Sequence, residues 1–118
     1  MMAFATPVFA ADECVKPAAP KVPSGSSATK EQLLAARSDV QKFIKSADDY
    51  MDCVNLVLVQ AREKATADKK DVDPALVTDT TAKVNDMQKL KETVGNEMNK
   101  SISVYLAAHP ADNSKSAQ

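Results

Sequence analysis

Tryptophan is absent from this 118-residue chain, which carries only two glycines, two cysteines and one histidine. Aromatic residues make up 4% of it. A β-sandwich needs frequent glycine-containing turns and more aromatic side chains, so the scarcity of both argues for helices. With His109 the sole histidine, a Ser–His–Asp or Cys–His device has one candidate base. His109 precedes Pro110 at a predicted helix end, where imidazole commonly meets the last carbonyls. It is read in that role rather than as a catalytic or metal-binding group. There is no glycine-rich phosphate loop. Neither sign of charge is in excess: 15 Lys and Arg against 16 Asp and Glu leave a net −1. That balance gives no electrostatic footprint for nucleic acid or an anionic membrane. No run approaches the roughly 18 apolar residues of a membrane span. The chain is therefore expected to be non-enzymatic, with no cofactor, no metal and no small-molecule substrate.

What is present starts with Met1 to Ala10, an apolar, uncharged stretch ending in Val8-Phe9-Ala10 before Ala11-Asp12-Glu13. The small-x-small ending is that of a cleavage site, and residues 1–10 read as the remnant of a signal peptide lacking its basic start. An ordinary disordered N-terminus is the alternative. Export implies an oxidising compartment, periplasmic or secreted, and the even cysteine count agrees with it. About 108 residues would remain after cleavage, which is one domain.

Residues 11–28 are expected to form an extended strap and turn. Pro17, Pro20 and Pro23 recur at every third position, fixing φ and removing N–H donors, and Ser24-Gly25-Ser26-Ser27 supplies the turn. Residues 29–110 should form the helical hairpin, with helices over about 29–69 and 74–109 and a disordered tail at 111–118. Thr29 and Gln32 make a capping-box pattern. Leu33, Ala36, Val40, Phe43, Ile44, Ala47, Tyr50, Met51, Val54, Val57, Leu58 and Ala61 then recur at helical spacing, the pattern of a helix–helix seam. Asp73-Pro74 restarts the chain as N-cap and first helical residue, with Val72 and Val77 at the positions of a hydrophobic staple. The second stripe is Val77, Thr81, Val84, Met87, Leu90, Val94, Met98, Ile102 and Tyr105. Helices of about 58 Å and 52 Å, at ~1.5 Å per residue, joined by a short connection imply an antiparallel hairpin.

The lengths also test a disulfide between Cys14 and Cys53. Cys53 lies about 36 Å along helix one from Thr29 at ~1.5 Å per residue. The segment from Cys14 to Gly25 covers about 34 Å at the polyproline rise of ~3.1 Å per residue. The strap can therefore fold back along helix one and clip to its middle, with an intermolecular disulfide as the rival. The fold class expected is all-α: a long antiparallel two-helix hairpin with an extended N-terminal proline-rich strap, disulfide-clipped and dimerising to a four-helix bundle.

Some features allow sharper chemistry. Asp48, Asp49 and Asp52 could hold Ca²⁺ or Mg²⁺ weakly, but with Lys45 nearby they read as a solvated charged face. Met51, Met87 and Met98 suggest a thioether copper site, yet all lie on the apolar stripes, where methionine fills gaps between helices. Gly95 inside helix two suggests either a close backbone approach or a kink. The run Val54 to Val59 is apolar nearly all round, so one side is left for a partner subunit, a buried β-strand being the alternative. The interface expected is Val54, Leu56 and Val59, in a homodimer centred near Val54 to Val59 or against an envelope protein.

The pattern Cys14-x-x-Pro17-x-x-Pro20-x-x-Pro23-x-Gly25, with Ala28-Thr29, Gln32-Leu33-Leu34-Ala35-Ala36 and Tyr50-x-x-Cys53, resembles small exported helical proteins of proteobacteria. The resemblance covers about the first half of the mature chain, and helix two carries no matching motif. It implies export and the strap-and-helix layout, and it brings no activity, cofactor or catalytic residue. The function expected is that of a periplasmic structural or interaction protein that self-associates or binds an envelope partner. An ATP-independent periplasmic chaperone or stress protein is the alternative.

Overall fold

A computed structural model describes residues 14–111 of the chain. The expected signal remnant at 1–10 and nearly all of the expected tail lie outside them. Among the described residues there are two long helices and no strand: α1, Lys30–Ala67, and α2, Pro74–Ala108. They pack as a hairpin in a body measuring 66 × 33 × 23 Å.

Each helix end has a local cause. The Gln32 N–H donates to Thr29 Oγ1 at 3.1 Å, and the Thr29 N–H donates to Gln32 Oε1 at 2.8 Å, completing the capping box that starts α1. At the other end Lys69 takes φ 55°, and the chain closes with Lys70 N–H to Ala65 O at 2.8 Å and Lys69 N–H to Thr66 O at 3.1 Å. This is the Schellman pattern, with lysine where glycine is usual. Asp73 caps α2 through Oδ1, which accepts from the Ala75 N–H at 3.0 Å, and Pro74 takes the first helical position. The helices thus stop two residues and one residue before the expected 69 and 109.

The seam of α1 follows two seven-residue series, Leu33, Val40, Ala47, Val54 and Ala36, Phe43, Tyr50, Val57, all buried. On α2 the deepest series is Thr80, Met87, Val94, Ser101, joined by Met98 and Tyr105. Thr80 therefore replaces the expected Thr81, which is exposed. Seven residues back from Met87, two turns at about 3.5, is Thr80, whereas steps of three through Val84 overshoot the seam to Thr81. Met87 and Met98 are buried and half-buried Met51 packs against the same cluster, so the three methionines serve the core.

Residues 15–24, between the disulfide and the turn before α1, form neither helix nor strand. Cys14 is bonded to Cys53, with S–S 2.05 Å and Cα–Cα 5.7 Å. Farther along, Val22 packs against the core, and the Pro23 carbonyl accepts from Ser101 Oγ at 2.7 Å. Ser24 O accepts from the Ala28 N–H at 2.9 Å, which turns the chain into α1. The close approach expected at Gly95 occurs instead at Gly25. A Cβ on Gly25 would run into Ser101 O, with Ser101 C at 2.8 Å and Tyr105 N at 3.0 Å, whereas a Cβ on Gly95 would meet nothing within 4 Å. The glycine that α2 needs for contact with residues 15–28 is thus supplied by the segment, not by the helix.

Candidate functional site

Two regions of the surface carry features that packing alone does not use. The first surrounds the disulfide. Cys14 is buried and Cys53 half-buried, and Cys53 lines an open hollow with Val15, Pro17, Ser46, Asp49 and Tyr50. Pro17 is held there at the level of Ser46 to Tyr50, and Val15 beside it is exposed.

The second is the side of α1 turned away from α2. Leu56 is 52% exposed and Val59 46%, although both sit in the middle of an ordered helix. Val54, expected beside them at an interface, is 0% exposed. It continues the Leu33–Val40–Ala47 series by seven residues, so its side chain is enclosed by the hairpin and cannot meet a partner. Leu58 is likewise buried, which leaves Leu56 and Val59 as the outward members of the run. Leu34, which lies beside α2 and not on that outward side, is 55% exposed. It borders a small apolar hollow of about 120 Å³ shared with Leu33, Ile102, Tyr105 and Leu106 and rimmed by Lys30 and Arg37.

The remaining candidates resolve into structure. Asp48 is paired across the hairpin with Lys91, and this cross-helix partner takes the place expected for Lys45. Asp49 and Asp52 are exposed, and among the described residues no three Asp, Glu, His or Cys side chains converge on a metal-sized space. His109 Nδ1 lies 2.9 Å from Tyr105 O, and its ring stacks on Tyr105 with centroids 4.1 Å apart. It closes the end of α2 as expected. No described helix is long and apolar enough to cross a membrane.

Comparison with protein-family models, with curated proteins and with solved structures returns no match.

Proposed function

We propose that this chain is a non-catalytic interaction protein of the cell envelope, periplasmic or secreted, that works by self-association. Residues 14–28 act as a strap that stiffens the hairpin, and the outer face of α1 acts as the contact surface. The observation that carries this reading is the exposure of Leu56 and Val59 on a helix whose own seam is already filled by Val54, Val57 and Leu58. A helix that serves only its hairpin has no need of two branched apolar side chains on its far side.

The magnitudes set the strength of such a contact. Covering a half-exposed aliphatic side chain is worth roughly 1 kcal/mol, and a two-fold axis counts Leu56 and Val59 twice, for about 4 kcal/mol in all. Association costs at least about 4 kcal/mol in lost translation and rotation. Two residues therefore support only marginal pairing, and a dimer stable at micromolar concentration needs further contacts on the same face. Sedimentation equilibrium across the micromolar range tests the reading. The wild type is expected to return twice the chain mass, and Leu56→Asp with Val59→Lys to return it to one, with helix content unchanged. A wild-type monomer throughout would contradict it.

A further inference from the structure

The two sulfurs of the disulfide meet solvent unequally. Cys14 is 7% exposed and belongs to the core cluster, whereas Cys53 is half-buried and lines an open hollow of about 340 Å³ with Val15, Pro17, Ser46, Asp49 and Tyr50. A space of about 150 Å³ takes a benzene-sized group, so a small thiol has room to stand over the Cys53 sulfur. The segment that follows Cys14 is held just as unequally. Among the described residues no hydrogen bond joins residues 15–21 to either helix, and Pro17 and Pro20 alone in that stretch are half-buried. From residue 22 the chain is docked. Val22 packs against the core, the Pro23 carbonyl accepts from Ser101 Oγ at 2.7 Å, and Gly25 lies against the backbone of Ser101 and Tyr105.

We infer that the Cys14–Cys53 bond is a reducible latch: a small dithiol opens it on the folded hairpin by attack at Cys53, freeing residues 14–21 while residues 22–28 and both helices stay in place. The attacking thiolate forms a mixed disulfide with Cys53 Sγ as the bond to Cys14 breaks, and Cys14 leaves as a thiolate that takes a proton from water. The second thiol of the reductant then displaces Cys53, which is protonated in turn. Two electrons pass from the dithiol to the cystine, and the reductant departs as its own disulfide. Access sets the direction of attack, because the hollow opens on Cys53 and not on Cys14. Burial disfavours a thiolate at Cys14. With no hydrogen bond holding residues 15–21, that residue can swing its charge out to water as the bond breaks.

The latch is separable from the hairpin because different contacts hold the two. Ordering a residue costs backbone entropy, and residues 15–21 return none of it as hydrogen bonds, so the covalent bond is what keeps them down. The seven-residue series of α1 and α2 keep every side chain when the bond opens. The stiffness of the hairpin, and not its shape, then follows the thiol redox state of its surroundings. The inference holds equally for a monomer and for a self-associated chain.

The test uses dithiothreitol on the full oxidised chain in native buffer. Reduction should proceed at a rate proportional to dithiothreitol and indifferent to urea below the unfolding transition. Treatment with β-mercaptoethanol, quenched by N-ethylmaleimide, should leave mercaptoethanol on Cys53 and maleimide on Cys14 about tenfold more often than the reverse, by peptide mass mapping. Reduction should also speed tryptic cleavage after Lys21 about tenfold or more, while cleavage after Lys42, Lys45 and Lys89 in the helices stays slow. Lys16 gives no competing cut, because Pro17 follows it. Cys14→Ser with Cys53→Ser should be cut after Lys21 at the reduced rate, with or without dithiothreitol. A reduction rate that levels off with dithiothreitol and climbs with urea would mean that the bond opens only after unfolding, and would overturn the latch. So would mercaptoethanol mainly on Cys14, cleavage after Lys21 that ignores reduction, or helices cut in step with Lys21.

Discussion

Removing the disulfide by Cys14→Ala with Cys53→Ala should be the most damaging small change available to the oxidised chain. The bond joins residues 39 apart. In the chain-entropy model a loop of this length lowers the entropy of the unfolded chain by an amount worth about 4 kcal/mol. A domain of this size is stable by only about 5–15 kcal/mol, because its core is a single seam between two rods. The variant should lose about 4 kcal/mol in urea unfolding followed by circular dichroism, and its melting temperature should fall by roughly 15–30 °C. Its m-value should rise, since the uncrosslinked unfolded chain expands and exposes more surface. Helix content at low temperature should survive: Cys14 is part of the core cluster, but the seven-residue series of α1 and α2 keep their side chains and Ser101 still holds Pro23. Wild type and variant must be compared at one protein concentration, as association adds to apparent stability. A loss under about 1 kcal/mol with an unchanged m-value would refute the reasoning and show residues 15–28 to be held by their packing alone.

The two glycines should respond in opposite directions to alanine: Gly25→Ala should cost about 1–3 kcal/mol by forcing residues 23–25 off Ser101, and Gly95→Ala should gain up to about 1 kcal/mol in open space, both by urea unfolding. Lys69→Gly should stabilise by about 1 kcal/mol in the same assay, because Lys69 holds φ 55° at the end of α1, a conformation that costs only side chains with a Cβ. Thr80→Val should also stabilise, by roughly 1–2 kcal/mol, since Thr80 is 2% exposed and its hydroxyl finds no hydrogen-bond partner in the seam. A destabilised Val variant would mean that the hydroxyl is satisfied in solution, for instance by a buried water.

The caps of the helices were legible because they depend on neighbours in sequence: Thr29 with Gln32, and Asp73 with Pro74. The Cys14–Cys53 bond was legible because the reach of the intervening segment and the rise of a helix are fixed by backbone geometry. The seam of α2 was only half legible. Two of its six buried positions are Thr80 and Ser101, which an apolar stripe passes over, and Lys91, seven residues before Met98, turns its ammonium aside to Asp48. The strict seven-residue spacing from Met87 and Val94 was the signal that would have found them. The same spacing extended from Leu33 places Val54 in the core, although the apolar run to Val59 hid the helix's rotational phase. Gly25 and Gly95 could not be told apart, because only the tertiary crossing decides which of them meets a backbone. Leu34 was obscured by Leu33 beside it, and only the crossing of the two helices shows it left exposed at the edge of a hollow shared with Ile102, Tyr105 and Leu106.

Light scattering on the oxidised wild-type chain, eluted from a sizing column at micromolar concentration, tests self-association most directly. The chain mass is 12.6 kDa. The account predicts a species of twice that mass, which falls to the single mass when Leu56→Asp and Val59→Lys are combined. A wild-type species at 12.6 kDa at every concentration would contradict it.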